Sequence, residues 1–403
     1  MTLQAATTDG HANVAPQEHP AYASYRTFLQ NRQADCLNRQ NKVPLTPYQR
    51  QQAVFFNQND YLHLSQHPQV IQASQEYAAT WGTGSGSARV LSYLPIYQQL
   101  EEHIARSKHK EKAIIFNSGY QANASVIASL LDSKQFTNPP LVFCDRLNHA
   151  SMHQGCQLAG VRQIRYRHLD LNHLEYLLRK HQQQPHRVRF IITESLFSMD
   201  GDQVDMAALV QLAQQYHALL YVDEAHATGV FGTQGYGLTT GYEDQIDLIM
   251  GTFSKALGST GSYLCCNNLL HDYLTNHCAG LIYSTALSPA VMGAVQQAWQ
   301  LLPHVQQERQ YLQYLADYAR NRLQHHGYHT GTSSSHIIPI ILGDVSRTLR
   351  TGQQLEQQGI YTATIRPPTV PAQGSRIRIS IQSNHNQANI DHLIEALNTS
   401  LQC

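Results

Sequence analysis

The sequence predicts an α/β protein: a mostly parallel central sheet covered by helices on both faces, a smaller C-terminal α/β domain and an N-terminal arm. Three observations predict it. Short apolar runs alternate with helical patterns through the middle of the chain, as in parallel sheets buried on both faces. Near residue 290 that rhythm gives way to longer helical stretches with fewer strands. The chain has 403 residues, more than one ordinary domain holds.

Residues 1–20 are polar and aperiodic, and read as a loose tail. Residues 21–40 read as a helix with Tyr25, Phe28, Leu29 and Leu37 as apolar contacts, ended by the turn signal Lys42-Val43-Pro44. Ala113–Phe116, Leu141–Cys144, Val188–Thr193, Leu219–Val222, Leu248–Gly251 and Tyr263–Cys265 are short apolar runs and read as buried strands. Gln121–Leu131 and Met206–Tyr216 carry helical periodicity. A long helix over Pro289–Gly327 comes next. Strand Ile337–Leu342, helix Ser346–Gln358, strand Ile377–Ser380 and helix Asn386–Leu397 then build the smaller domain. The division expected is 1–44 for tail and arm, 45–290 for the large domain and 291–403 for the small one.

Composition excludes several function classes. Hydrophobic residues are 42% of the chain, charged residues only 14%, and the formal net charge is zero. A globally basic nucleic-acid binder is thereby excluded. The seven cysteines, Cys36, Cys144, Cys156, Cys265, Cys266, Cys278 and Cys403, have irregular spacing. That spacing suits neither a disulfide framework nor a thiolate zinc site, so no metal is expected. The first twenty residues lack a basic start followed by an apolar core, and no apolar run is long enough to span a membrane. A soluble, cytoplasmic protein is expected.

Chemistry gathers where predicted strands end, which is where open α/β sheets place their sites. Asp223-Glu224-Ala225-His226 follows the Leu219–Val222 strand. An Asp there could pair with the ring nitrogen of pyridoxal 5'-phosphate (PLP) and keep it protonated, with His226 toward the phenolic side. It could equally be a capping or surface carboxylate. A nucleotide motor would need a GxxxxGK[ST] loop, and the chain has none. Thr252-Phe253-Ser254-Lys255-Ala256-Leu257-Gly258 follows another strand. Desolvation among small and apolar neighbours would make the Lys255 amine nucleophilic enough for a Schiff base. Ser254 and Thr252 can donate to a phosphate, and Gly258 and Gly261 permit close backbone approach. A lone lysine is usually an exposed one, and Asp223 on a neighbouring strand end is what argues otherwise.

Asn117-Ser118-Gly119-Tyr120 opens a helix after a strand, so Ser118, Gly119 and Tyr120 could hold a phosphate on free N–H groups. An ordinary N-cap is the other reading, and both can hold together. The run Gly82–Gly86 is either a second phosphate cradle or a plain turn. His149, after the Leu141–Cys144 strand, could stack on a pyridine face. Glu194 and Ser198 share that sheet edge. Ser198 could meet a phenolic oxygen, while Asp202 supports its loop. Arg366, stiffened by Pro367 and Pro368, offers a bidentate fork for a substrate carboxylate, or is a surface arginine. Arg376 and Arg378 share one strand face and stay unassigned.

Together the segments 145–151, 194–201, 222–229, 252–258, 283–285 and 366–371 resemble the α-oxoamine synthases. These are fold-type I (aspartate-aminotransferase-like) PLP enzymes that condense an amino acid with an acyl-CoA and release CO2. The resemblance runs from about residue 25 to the C-terminus. Within the family, Arg366-Pro367-Pro368-Thr369-Val370-Pro371, Asp145–Ser151 and Phe197–Asp202 look like the branch of biotin synthesis. That branch joins L-alanine to pimeloyl-CoA or a pimeloyl carrier protein. The sister branches, which use glycine or serine with other acyl-CoAs, remain open, as do an ordinary aminotransferase or lyase and a cofactor-free scaffold on the same fold.

The resemblance implies Lys255 as the Schiff-base lysine, Asp223 at the pyridine nitrogen and His149 stacked on the ring. It implies His226 and Ser198 near the phenolic oxygen, Thr252 near the phosphate, and Arg366 on the alanine carboxylate. Asn59 matches a substrate contact. Ser284 and Thr285 match residues that reach the phosphate of the partner subunit's cofactor, which implies a homodimer with sites at the interface. Three positions depart from the pattern. Tyr93 replaces a small residue, Gln373 intervenes before Gly374, and Asn38 stands where the branch has an arginine, with Arg39 adjacent.

Overall fold

The computed structural model describes residues 19–184 and 186–402. The expected loose tail, up to residue 18, and Cys403 lie outside the described residues. Among the described residues twelve strands follow one another: β1 (Val54–Phe55), β2 (Lys112–Phe116), β3 (Leu141–Asp145), β4 (Gln163–Tyr166), β5 (Arg189–Glu194), β6 (Ala218–Asp223), β7 (Leu248–Thr252), β8 (Ser262–Cys266), β9 (Ile337–Gly343), β10 (Ile360–Tyr361), β11 (Ala363–Ile365) and β12 (Ser375–Ser380).

Seven of them form the main sheet in the order β2-β8-β7-β6-β5-β3-β4. The β4/β3, β3/β5, β5/β6 and β6/β7 pairs are parallel, and β8 is antiparallel to both neighbours. β8 therefore runs against the other six. Strands β3, β7 and β8 are buried along their whole length, which is why the sequence shows them as unbroken apolar runs rather than alternations. β4 was not visible in that way. It is an edge strand whose Gln163 and Arg165 interrupt the apolar signal.

Two helices that line the site begin on side-chain caps. Ser118 accepts from Gln121 N at the start of Gly119–Leu130, and His149 accepts from Ser151 N at the start of Ala150–Leu158. The smaller sheet, β11-β12-β9, is antiparallel and is covered by Val345–Gln357. A two-stranded parallel piece, β1-β10, joins residues 54–55 to residues 360–361.

Two expectations are corrected. The single long helix over Pro289–Gly327 is two helices, Pro289–Leu301 and Gln306–His325, separated by the turn Leu302–His304. Pro303 in that turn has no N–H to donate and its ring crowds the preceding carbonyl, so the helix breaks there. The arm helix covers Ala21–Ala34 and stops where Cys36 takes φ +56°. It buries none of its residues. Tyr25, Phe28 and Leu29 are 64%, 59% and 56% exposed, so the expected contacts are not made within this chain.

Candidate active site

The carboxyl ends of β3, β5, β6 and β7 deliver the site. Asp223, the last residue of β6, is buried, and its carboxylate is held from two sides. Asn123 Nδ2 donates to Oδ2 at 2.7 Å, and Ala225 N–H donates to Oδ1 at 2.8 Å. Asn123 is itself buried inside the helix Gly119–Leu130 and accepts from the Tyr221 hydroxyl at 2.7 Å. These bonds fix the plane of the carboxylate.

Lys255 follows β7 and is half-buried. Burial brings its amine down to about 8, and Arg378 pushes the same way, while Asp223 and Glu194 oppose them. Gly258 closes the lysine loop at φ +64°, and a Cβ there would stand 2.2 Å from Ser65 N. Only glycine lets the two backbones approach so closely.

Glu194, paired in register with Asp223, accepts from His149 N–H at 2.6 Å. Burial and the charge of Asp223 push the Glu194 carboxyl well above its ordinary range. His149 is exposed, yet the protein around its ring and then Lys255 lower its basicity, against the pull of Asp223. The Tyr120 ring meets the His149 ring edge-on at 6.3 Å. The charges on Asp223 and Lys255 thus act on both Glu194 and His149.

A second group converges from distant parts of the chain. His226 Nδ1 lies 2.7 Å from the Tyr61 hydroxyl, which lies 3.1 Å from Asn59 Oδ1. Arg378, on β12, donates to Asn59 Oδ1 at 3.2 Å and to Ser198 O at 2.6 Å. The Tyr61 hydroxyl has one proton to give. When it goes to Asn59, His226 Nδ1 is the donor and Nε2 is left as the acceptor. Burial, with Lys255 and Arg378, keeps His226 well below the ordinary histidine range, so it is neutral. His336 packs edge-on against Tyr61 at 4.0 Å and is pushed by burial, Arg378 and Lys255 down to about 3.

The helix start at Ser118-Gly119-Tyr120 sits beside Thr252. A Cβ added to Gly119 would meet nothing closer than 3.8 Å, and the Thr252 side chain is among its nearest atoms. Asn117 Nδ2 donates to Ser284 Oγ at 2.9 Å and to Thr285 O at 2.5 Å, so those two residues stand at the same helix start. Arg366 lies elsewhere: it donates to the carbonyl of Asn38 in the arm. Arg39 donates to Thr369 beside it. Tyr93 is fully exposed, and Gln373 takes φ +62°. The run 82–86 lies along residues 284–287 through Ser85 Oγ to Ala286 O at 2.8 Å. Asp202 supports its loop as expected, accepting from Thr332 Oγ1 at 2.6 Å.

This donor set fits PLP. An amine of lowered basicity can take an aldehyde, and a fixed carboxylate can take a ring N–H. The uncapped N–H groups at the helix start, with Thr252 alongside, can take a phosphate. Sequence reasoning missed Asn123, Tyr61 and His336, and left Arg378 without a role. Asn123 carried a signal, a polar residue amid Ala122, Ala124, Val126 and Ile127 on an apolar helix. The other three carried none, because their partners lie far away in sequence.

A family model described as aminotransferase class I and II matches residues 51–397. The chain belongs to the class I and II aminotransferase family. Its architecture is the fold-type I, aspartate-aminotransferase-like one that the motifs led us to expect. Within the family, an 8-amino-7-oxononanoate synthase of Gluconacetobacter diazotrophicus is 47% identical over 85% of this chain and 86% of that protein. The 8-amino-7-oxononanoate synthase structure from Francisella tularensis aligns with a TM-score of 0.73 at 25% identity, over 87% of this chain and 98% of that one. A serine palmitoyltransferase from S. paucimobilis, solved with PLP bound, aligns with a TM-score of 0.81 at 27% identity, over 87% of each chain. No helix among the described residues is long and apolar enough to cross a membrane.

Proposed function

We propose that the chain condenses L-alanine with a pimeloyl thioester, of CoA or of a carrier protein, to give 8-amino-7-oxononanoate, the free thiol and CO2. The observation that carries this reading is a partly desolvated amine, Lys255, within the field of the Asp223 carboxylate that Asn123 holds at the same sheet edge. The 47% identity to a protein of that name supports the choice of substrates.

When bound, PLP supplies an electron sink for the pair left on the substrate α-carbon. Asp223, held by Asn123 and Ala225, would face the ring nitrogen. Gly119 and Tyr120 N–H groups with Thr252 would hold the phosphate. Lys255 is the amine that anchors the aldehyde and then removes the α-proton. With its basicity near 8, it exchanges that proton readily close to neutral pH. His149 covers the ring face. His226, neutral and fixed by Tyr61, serves the phenolic side together with Ser198. Arg366 takes the amino acid's carboxylate, and Arg378 holds Asn59, the other substrate contact. The carbon–carbon bond forms between the alanine α-carbon and the thioester carbonyl, the thiolate leaves, the carboxylate departs as CO2, and the electron pair it leaves on the α-carbon takes up a proton from Lys255 to give the aminoketone.

The working unit in this reading is a homodimer divided as 1–44, 45–290 and 291–403, with Ser284 and Thr285 serving the partner's site. Leu91, Tyr93, Tyr120 and Tyr283 are 66%, 100%, 51% and 84% exposed, apolar side chains that a partner subunit would cover. A second reading, serine or glycine with another acyl-CoA, is favoured by the likeness to serine palmitoyltransferase. Turnover with L-alanine, glycine and L-serine against pimeloyl-CoA and longer acyl-CoAs, with products identified by mass, tests both. Alanine with the pimeloyl thioester is expected to give the highest kcat/KM. A higher value for serine with a long acyl-CoA would replace the first reading by the second.

A further inference from the structure

Two loops bring His149 and Ser198 to the site, and each is anchored by an aspartate. Asp145, at the end of β3, holds the turn that leads to His149. Its Oδ1 accepts from Leu147 N and its Oδ2 from Leu169 N, both at 2.8 Å. Asp202 anchors the loop after β5 that carries Ser198, and Thr332 Oγ1 donates to it at 2.6 Å from the segment before β9. The same loop touches the start of β9 at Gly201, where φ is +70° and a Cβ would stand 1.9 Å from Ile337 O.

His168 stands between the two aspartates. Its Nδ1 is 3.0 Å from Asp145 Oδ1 and its Nε2 is 3.2 Å from Asp202 Oδ2. Phe197, from the Ser198 loop, meets the imidazole edge-on at 4.5 Å. Ionised carboxylates only accept hydrogen bonds, and a neutral imidazole has one N–H. The neutral ring would turn a lone pair toward one carboxylate, so both contacts require the imidazolium. Burial works against that charge, but the two aspartates outweigh it and hold His168 at about 9.

We propose that His168 is a positioning residue: as a cation it ties Asp145 to Asp202, and so sets the spacing of the loops that present His149 and Ser198. The other charged groups nearby are otherwise engaged. Arg167, next in the chain, donates to Asp170 at 2.8 Å, and Arg376 donates to Asp200 at 2.5 Å. Tyr166 is kept protonated by burial and by Asp145. His153 and Glu194 feel Asp145, but burial lowers the first and raises the second, which leaves both toward their neutral forms. The proposal rests on the reading above only for what His149 and Ser198 do.

The test uses the full-length protein with ring-15N histidine, the His168 signal being assigned by its loss in His168→Gln. Both ring nitrogens are expected to be protonated at neutral pH, with a midpoint near 9. A midpoint at or below the ordinary value of about 6.5 overturns the proposal. This arm holds or fails whatever the substrate proves to be.

The second arm is kinetic. His168→Gln is expected to lower kcat by ~10²-fold through misplaced groups. The KM for the amino acid and the visible absorbance of the PLP-loaded enzyme should stay as in wild type. In the double variant His168→Gln/Asp202→Asn, the introduced glutamine can donate to Asp145 and accept from the introduced asparagine, so most of the lost kcat returns. A single variant with wild-type kcat, or a double variant no better than the single, overturns the proposal.

Discussion

Asp223 and Glu224 are neighbours at the end of β6, each carboxylate acts on a lysine, and the outcomes are opposite. Glu224 pairs with Lys108 at 2.5 Å, with neither side chain exposed. Lys108 Nζ also donates to Tyr236 O at 2.5 Å and to Thr239 Oγ1 at 2.7 Å, so all three of its N–H groups are used. Glu224 takes further bonds from Tyr263 and Thr239 hydroxyls at 3.0 and 2.9 Å. Asp223 is instead held by the neutral donors Asn123 and Ala225. No hydrogen-bond partner meets the Lys255 amine among the described residues. Successive residues of an extended chain face opposite sides, which separates the two environments within one peptide unit. Burial alone does not make a lysine reactive. A saturated, paired lysine is a structural rivet, whereas a desolvated one without its own acceptors keeps its lone pair within reach.

The largest expected effect is at the reactive lysine. Lys255→Ala should lower turnover by ~10²–10⁴-fold, abolish the visible absorbance that PLP gains on binding, and leave the melting temperature of the cofactor-free protein close to wild type. Lys108→Ala should do the reverse. It strands a buried carboxylate and should cost about 3–5 kcal/mol of stability, read by urea unfolding, while the folded fraction keeps its PLP absorbance. Replacing both Lys108 and Glu224 by methionine should cost less than the single change. If Lys108→Ala is well tolerated, the contrast between the two pairs is lost.

A smaller effect is expected at Asn123→Ala, which removes a donor from Asp223 and the acceptor of the Tyr221 hydroxyl. About 1–3 kcal/mol of stability should go with it, together with weaker PLP retention on dialysis. The smallest effect is in the pH dependence. In the folded chain Lys255 holds its proton only up to about 8, against 10.5 for an ordinary lysine. Between those values the unfolded chain binds more protons, so this residue makes stability rise with pH across that window. Urea unfolding of cofactor-free Lys255→Met should lack that part of the rise. An unchanged slope would place the wild-type amine in water.

Much of this was readable in the chain itself. Six of the seven main-sheet strands were visible because burial on both faces demands unbroken apolar runs, such as Leu248–Thr252. Asp223, Lys255 and His149 were visible because each follows such a run, and a helix start was visible from Ser118. The break at Pro303 was missed when periodicity was weighed above the one residue that cannot continue a helix. The arm was misjudged for another reason. Tyr25, Phe28 and Leu29 lie at helical spacing, but spacing says only that they share a face, not what covers it.

The sequence by itself determined the local terms: which segments are strands, where each ends, and which chemically capable side chain follows, because these depend on neighbours within a few residues. Only the tertiary structure decided which of those side chains meet. It brought Asn59, Tyr61, His226 and Arg378 into one hydrogen-bonded group and set Arg366 against the arm. It also saturated Lys108 with acceptors and left Lys255 desolvated without one among the described residues. Pairing and desolvation depend on contacts across hundreds of residues, and no local pattern encodes the partner a buried charge will find.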